Sequence, residues 1–191
     1  MENRETFLPP IEKPSSFAMK LVYFLTKRQF GKVLTPVKVG SARLPIAFGM
    51  FYGKTYELDK KLRLPKETAF LIRHQVARIN ICEYCMDIGR FTALKEFMNE
   101  AKIDAVGEYN TSPLFSEAEK SALDYATELT KDKKVKPETF SRMAAHYSER
   151  EICEIAFLVA SEHLINISNI GLNIHSDMFC DLSKRNKINN N

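Results

Sequence analysis

Signals that start helices recur along this chain and constrain its fold more than any other feature. Ser116 with Glu119 and Ser148 with Glu151 each have the spacing of a capping box, in which the two side chains satisfy free amides at a helix N-terminus. After each box, apolar residues return every three or four positions, as they do on one face of a helix. No stretch alternates like a strand for long, so the sequence predicts an all-α fold.

The same pattern divides the chain into a series of helices, with a break in the longest stretch. Residues 66–101 would form one helix of unusual length for a globular domain, so we expect a break near Asn80. Asn80 is a good N-cap, and Glu83 follows it at the spacing of a capping box. The predicted helices cover approximately residues 16–30, 44–61, 66–79, 83–101, 117–130, 137–146 and 151–174.

Length and composition predict one globular domain. A chain of 191 residues can build one good core, and its 45% of hydrophobic residues is enough to fill it. We expect a flexible N-terminal arm over residues 1–14, a single all-helical domain over 15–182 and a disordered tail over 183–191.

The net charge of +4 is small, and acidic and basic residues interleave. This distribution argues against nucleic acid as a partner.

The sequence also predicts the cellular compartment of the protein. Its N-terminus is polar and rich in proline, unlike a secretory signal. The longest apolar stretch, FAMKLVYFL, has nine residues and contains Lys20, whereas a membrane-spanning helix needs about 20. The four cysteines are scattered, unlike those of a secreted disulfide framework. We therefore predict a cytoplasmic protein with reduced thiols at rest and no membrane partner.

Cys82 and Cys85 form a CxxC pair, which allows three interpretations. Two thiols on one helical turn can close a small reversible disulfide, and a helix N-terminus favours the thiolate, so a redox pair is one. A structural zinc site normally has four ligands, and His175 and Cys180 could complete it, although nothing in their spacing demands this. We therefore predict no metal. In the third interpretation the cysteines are simply two small apolar residues, as Cys153 is expected to be.

A stripe of polar residues crosses the otherwise apolar late helix. Its members recur at spacings of four, three and four positions, which places them on one face. They are Glu162, Asn166, Asn169 and Asn173. The stripe is either the solvent-facing side of the helix or a buried polar line that faces a cavity or another helix. In the second case each group needs a hydrogen-bond partner.

Two segments resemble the carboxymuconolactone decarboxylase and alkylhydroperoxidase D-like (AhpD-like) superfamily. VARINICEYCMD is similar to the CxxC signature of this superfamily, and LVASEHLINISNIGLNIHSD is similar to its second signature. The resemblance covers approximately residues 38–177. It implies an AhpD-like helical bundle with a helix–CxxC–helix core and association into a homo-oligomer. The apolar early helix and the apolar late helix also indicate self-association.

For the CxxC branch, the resemblance implies reduction of small peroxides without a cofactor. Cys85 would attack the peroxide and become a sulfenic acid, and Cys82 would resolve it as a disulfide. A dithiol reductant protein or a small thiol would then reduce the pair. A non-redox decarboxylase or lactone-processing enzyme and a catalytically silent oligomeric binding protein remain as alternatives.

The sequence departs from the peroxidase pattern at the two positions of its proton relay. A histidine stands four residues after the second cysteine in that branch, and here the position is Gly89. A glutamate stands about twelve residues before the first cysteine, and here the position is Phe70. The candidates to replace them are Glu67, His74 and His163. We therefore expect any peroxidase reaction to be slow.

Overall fold

The described part of the protein is mainly helical. A computed structural model describes residues 5–96 and 98–179. It is 70% helical, and the described residues contain no strand, so the predicted all-α fold is confirmed. The α-helices are α1 Phe17–Phe30, α2 Phe51–Asp59, α3 Lys66–Ile79, α4 Glu83–Glu96, α5 Glu100–Asp104, α6 Glu117–Asp132, α7 Pro137–Ala144 and α8 Glu149–Gly171.

Both predicted capping boxes are present. The Ser116 hydroxyl accepts the Glu119 amide at the start of α6, and the Ser148 hydroxyl accepts the Glu151 amide at the start of α8. At the other end of a helix, Gly31 closes α1 with a φ of 78°. Glycine adopts this left-handed conformation without a steric penalty. These helix ends are therefore set by local sequence.

Two of the predicted helices differ from those observed. The segment predicted at 44–61 begins with a π-helical turn, Pro45–Met50, and becomes α-helical only in α2; another π-helical turn, Val37–Ser41, precedes it. The segment predicted at 83–101 is two helices, because α4 ends at residue 96 and α5 begins at residue 100. Asn99 starts the second of them, since its side chain accepts the Ala101 amide at 2.8 Å.

α3 is the centre of the bundle, because it contributes to all three clusters of the core. Ile72 packs with α6 and α8 in the first cluster. Leu71 packs with α4, α6 and the segment after α4 in the second. Ala77 packs in the third with Cys82 and Cys85. The cysteine pair is therefore part of the hydrophobic core.

The N-terminal segment lies along this bundle. The amide of Phe7 donates to the Leu172 carbonyl, and the amide of Ile11 donates to the Lys38 carbonyl. Residues 1–4 and the predicted tail at 183–191 lie outside the described part of the chain, and the predicted domain bounds stay predictions. In the described part, no helix is both long and apolar enough to cross a membrane.

Candidate active site

The break between α3 and α4 positions the cysteines, and it falls where the sequence predicts it. Ile81 has a φ of 57°, which is unusual for a β-branched residue. The chain turns here, and the Cys82 amide bonds to the Ala77 carbonyl at 2.9 Å. Cys82 then stands immediately before α4, where its carbonyl accepts the Met86 amide at 3.0 Å. Cys85 follows within the first turn of the helix.

The predicted role of Asn80 as the N-cap of α4 is wrong. Asn80 follows the last residue of α3 and has a helical conformation. Its side-chain amide donates to Oδ1 of Asn166 at 3.0 Å and lies 3.2 Å from Nδ1 of His163. Contacts with α8 therefore occupy the side chain, which is why it does not cap α4.

Cys82 and Cys85 are joined by a disulfide, with their Cα atoms 5.3 Å apart. Both side chains are buried, with 1% of Cys82 and 7% of Cys85 exposed. Cys85 borders a cavity, whereas Cys82 is not among the residues that line it. A small reactant in that cavity would meet the sulfur of Cys85 first.

No metal cluster accompanies the pair in the part of the chain that the structure describes. No group of three or more His, Cys, Asp or Glu residues there is arranged to hold a metal ion. His175 bonds instead to Glu83, with Nδ1 and Oε2 3.2 Å apart. Cys180, the other ligand considered, lies outside the described residues.

The cavity beside Cys85 is small and mainly apolar. Its volume is about 190 Å³, and α3, α4 and α8 form its walls. The lining residues are Phe70, Arg73, His74, Tyr84, Cys85, Ile88, Gly89, Glu162 and Ile165. Such a space admits a small molecule, and its apolar wall favours an apolar one.

The two positions of the family's proton relay meet in this wall. A Cβ atom added to Gly89 would lie 3.5 Å from Cε2 of Phe70. The positions predicted from the sequence pattern are therefore neighbours in space, although one precedes the cysteines and the other follows them. Here both residues are apolar, and the wall carries no relay at this point.

Of the three candidates to replace the relay, only His74 lines the cavity. Its ring stacks on Phe70, with ring centres 5.1 Å apart. Burial lowers the pKa of His74 to about 4, and the charges of Arg78 and Arg90 act in the same direction. Its Nδ1 is buried and has no hydrogen-bond partner within the described residues. His74 therefore presents a neutral imidazole to the cavity.

The other two candidates lie away from the cavity wall. Glu67, near the start of α3, forms an ion pair with Lys102 at 2.5 Å. His163 is half-buried on α8, where its Nε2 lies 3.3 Å from the Thr130 hydroxyl and its Nδ1 contacts Asn80. Burial lowers the pKa of His163. Neither side chain is placed to exchange a proton directly with a molecule beside Cys85.

The polar stripe on α8 is a buried line for three of its four members. Glu162, Asn166 and Asn169 are 7%, 0% and 3% exposed. Asn166 donates to Oε1 of Glu162 at 2.6 Å, and Asn169 donates to Sγ of Cys85 at 3.5 Å. Asn173 lies nearer the surface and donates to the Glu5 carbonyl. The interpretation as a buried polar line that faces a cavity or another helix is confirmed for the first three, of which Glu162 lines the cavity.

Glu162 and Asp59 share one arginine at the polar end of the cavity. Nη1 of Arg73 lies 3.1 Å from Oε2 of Glu162, and Nη2 lies 2.8 Å from Oδ1 of Asp59. Burial raises the pKa of Glu162, while the charge of Arg73 opposes that rise. Two ionised carboxylates would leave this buried group with one uncompensated negative charge. A buried site disfavours such a charge, which is the direction in which burial shifts the pKa of Glu162.

Asp87 holds the segment after α8 against the start of α4. Its Oδ2 accepts the Ser176 hydroxyl at 2.8 Å and the Phe179 amide at 3.0 Å. The neighbouring Asp177 accepts the Thr35 hydroxyl at 2.7 Å. The closing Ser-Asp of the second signature therefore contacts α4 through Ser176 and the segment after α1 through Asp177.

Sequence reasoning missed the roles of Arg73, Asp59 and Asn169. In the sequence, Arg73 stands out only as a positive charge among the apolar residues of α3. Asn169 belonged to the recognised stripe, but its contact with Cys85 joins residues 84 positions apart. Only the packing of α8 against α3 and α4 brings these groups together.

The chain is similar to proteins of this architecture. No family model matches it. The uncharacterized protein YnjA of Escherichia coli (strain K12) is 27% identical over 186 residues, which are 93% of this chain and 98% of that protein. The debrominase Bmp8, solved in complex with 2,3,4-tribromopyrrole, has a TM-score of 0.80 and 21% identity, with 95% of this chain and 97% of that chain covered.

A second solved structure connects the fold with the sequence resemblance. The alkylhydroperoxidase AhpD core of a peroxidase-related protein from Ralstonia eutropha JMP134 has a TM-score of 0.78 and 18% identity, with 91% of this chain and 94% of that chain covered. The TM-scores establish the fold, and identities this low establish nothing finer. The chain has the AhpD-like fold, and its resemblance to the carboxymuconolactone decarboxylase and AhpD-like superfamily is confirmed at the level of the fold.

Proposed function

We propose that the protein is a thiol-dependent oxidoreductase that reduces small peroxides through Cys85 and Cys82. The observation that carries the proposal is the position of the pair. The disulfide stands at the start of a helix, and the Cys85 sulfur borders an apolar cavity. A helix N-terminus favours the thiolate that such a reaction needs.

The reaction proceeds in two steps and consumes two thiols. The Cys85 thiolate attacks the terminal oxygen of a hydroperoxide, the O–O bond breaks, and the alcohol leaves after it takes up one proton. The Cys82 thiol then attacks the sulfenic acid sulfur, water leaves and the disulfide forms. An external dithiol or thiol returns two electrons and two protons to the pair.

We assign the proton for the departing alcohol to Glu162. The relay positions are occupied by Phe70 and Gly89, which carry no proton, and His74 is neutral on the same wall. Glu162 lines the cavity, and burial raises its pKa although the charge of Arg73 opposes that rise. This group supplies the acid that the family relay supplies elsewhere.

The test of this assignment compares Glu162→Gln with Glu67→Gln. Glutamine keeps the shape of the side chain but cannot release the proton. Glu162→Gln should slow peroxide consumption by about 10²-fold at neutral pH, a usual loss for a general acid. Glu67→Gln removes a carboxylate outside the cavity and should consume peroxide at the parent rate. Equal rates for the parent and both variants would remove Glu162 from the mechanism.

A second candidate is reductive dehalogenation by the same thiols. The observation that favours it is the apolar cavity, together with the likeness to the debrominase Bmp8 over 95% of the chain. Two thiols and an aryl bromide would yield a disulfide, the arene and hydrogen bromide. Incubation of the reduced protein with 2,3,4-tribromopyrrole should then release bromide, measured by ion chromatography. Bromide release without loss of thiols would exclude this reaction.

The subunit is also proposed to act in a homo-oligomer, with an external dithiol or thiol as its reductant. Large apolar side chains on α1 remain exposed in the single chain, including Phe17 at 82% and Phe24 at 60%. Exposed apolar surface on this scale favours association. The decarboxylase and silent binding-protein alternatives predict no thiol chemistry, so the same peroxide assay distinguishes them from the proposal.

A further inference from the structure

The buried polar line on α8 ends at the sulfur of Cys85. Asn169 is 3% exposed, and its Nδ2 lies 3.5 Å from Cys85 Sγ. A buried amide stabilises a fold only when it finds partners, and an apolar side chain would otherwise be less costly there. The amide is therefore directed at the sulfur that becomes negatively charged when the reduced Cys85 ionises.

We propose that Asn169 is a catalytic residue that stabilises the thiolate form of Cys85. The inference rests on the proposed function only in that Cys85 is the attacking thiol. An N–H group that donates to an ionised acceptor forms a stronger bond than one that donates to a neutral acceptor. Reduction of the disulfide converts Cys85 into such an acceptor, and the amide is already in position.

Among the described residues, no charged group around the cavity is free to stabilise the Cys85 thiolate, so uncharged dipoles have to stabilise it. Arg73 is the one cation among the described lining residues, and Asp59 and Glu162 both bind it. From α3, His74 contributes a neutral ring. From α4, Tyr84 remains protonated because burial raises its pKa.

The acidic groups near Cys85 are also engaged. Asp87, on α4, accepts hydrogen bonds from Ser176 and Phe179, and Glu83 contacts His175. Neither acidic residue can favour a negative sulfur. Within the described residues, the side chain of Asn169 donates to the Cys85 sulfur, and the amides at the start of α4 add the dipole of that helix.

The test measures how alkylation of Cys85 depends on pH, which requires no peroxide. In a Cys82→Ser background, iodoacetamide labelling of the Cys85 peptide is followed by mass from pH 5 to pH 10. With Asn169→Ala, the rate at pH 7 should fall about tenfold, and the midpoint of the profile should rise by about one pH unit. The loss of one charge-assisted hydrogen bond has this magnitude.

Two further variants make the test decisive. Asn169→Asp keeps the size of the side chain and places a carboxyl against the sulfur, so its profile should also move to higher pH. Asn173→Gly removes the next amide of the stripe, allows the φ of 54° found there, and should leave the profile unchanged. If Asn169→Ala does not fold, Asn169→Asp decides the question. Unchanged profiles in the folded Asn169 variants would overturn the proposal.

The outcome separates this inference from the proposed function. A shifted alkylation profile in a protein that consumes no peroxide would support the role of Asn169 and refute the peroxidase. Peroxide consumption with an unshifted profile would support the peroxidase and refute the role of Asn169.

Discussion

Burial of His74 should make the protein lose stability in acid, and the size of the loss follows from the structure. The ring is 8% exposed, and its pKa falls from 6.5 to about 4. Above pH 6.5 the ring is neutral in both the folded and unfolded states. Between pH 6.5 and about 4 the unfolded chain binds a proton that the folded protein does not, so stability falls. At about 1.4 kcal/mol per pKa unit, the loss is about 3 kcal/mol.

The variant His74→Phe isolates this contribution. Phenylalanine preserves the stacking on Phe70 and has no proton to bind. Urea unfolding at pH 7 and pH 4 should show that the parent loses about 3 kcal/mol more than the variant. Glutamine at the exposed His146 is the control for the removal of a histidine from the surface. An equal acid loss in the parent and His74→Phe would refute the buried neutral imidazole.

Three other predictions concern association, the relay and a helix cap. Sedimentation at micromolar concentration should give a species larger than the 21.9 kDa monomer, and charged substitutions at Phe17 and Phe24 should reduce its size, because these side chains are exposed on α1. The double variant Phe70→Glu with Gly89→His should consume peroxide faster than the parent, and either change alone should do less, because the two positions are in contact. Ser148→Ala should lower the free energy of unfolding by about 1 kcal/mol in urea denaturation, because it removes one half of a capping box.

Local sequence predicts the helices well where it also determines their ends. Ser116 and Ser148 supply capping groups within three residues of the amides they bind. The break between α4 and α5 is also determined locally, by the cap at Asn99. Asparagine also occurs at positions that cap no helix, so residue type alone does not identify this cap. Asn80 shows the opposite case. Local rules assign its side chain to a helix cap, but the side chain bonds to α8 instead.

Only part of the candidate site can be predicted from the sequence, because tertiary contacts determine the rest. The CxxC pair, the stripe on α8 and the replaced relay positions all stand out in the one-dimensional pattern. Which residues share a cavity depends on how α3, α4 and α8 pack, and that packing separates His74 from Glu67 although both lie on one helix. The pairing of Arg73 with Asp59 and Glu162, and of Asn169 with Cys85, joins distant segments that no short motif encodes.

The most direct test of the redox account counts thiols after mild peroxide treatment of the reduced protein. Mass analysis should show two thiols lost and one Cys82–Cys85 disulfide gained, with Cys153 and Cys180 unchanged. Cys82→Ser should accumulate a sulfenic acid on Cys85, because the resolving thiol is absent. Cys85→Ser should lose the response entirely. If Cys85→Ser consumes peroxide as fast as the parent, the pair is structural and the redox account is wrong.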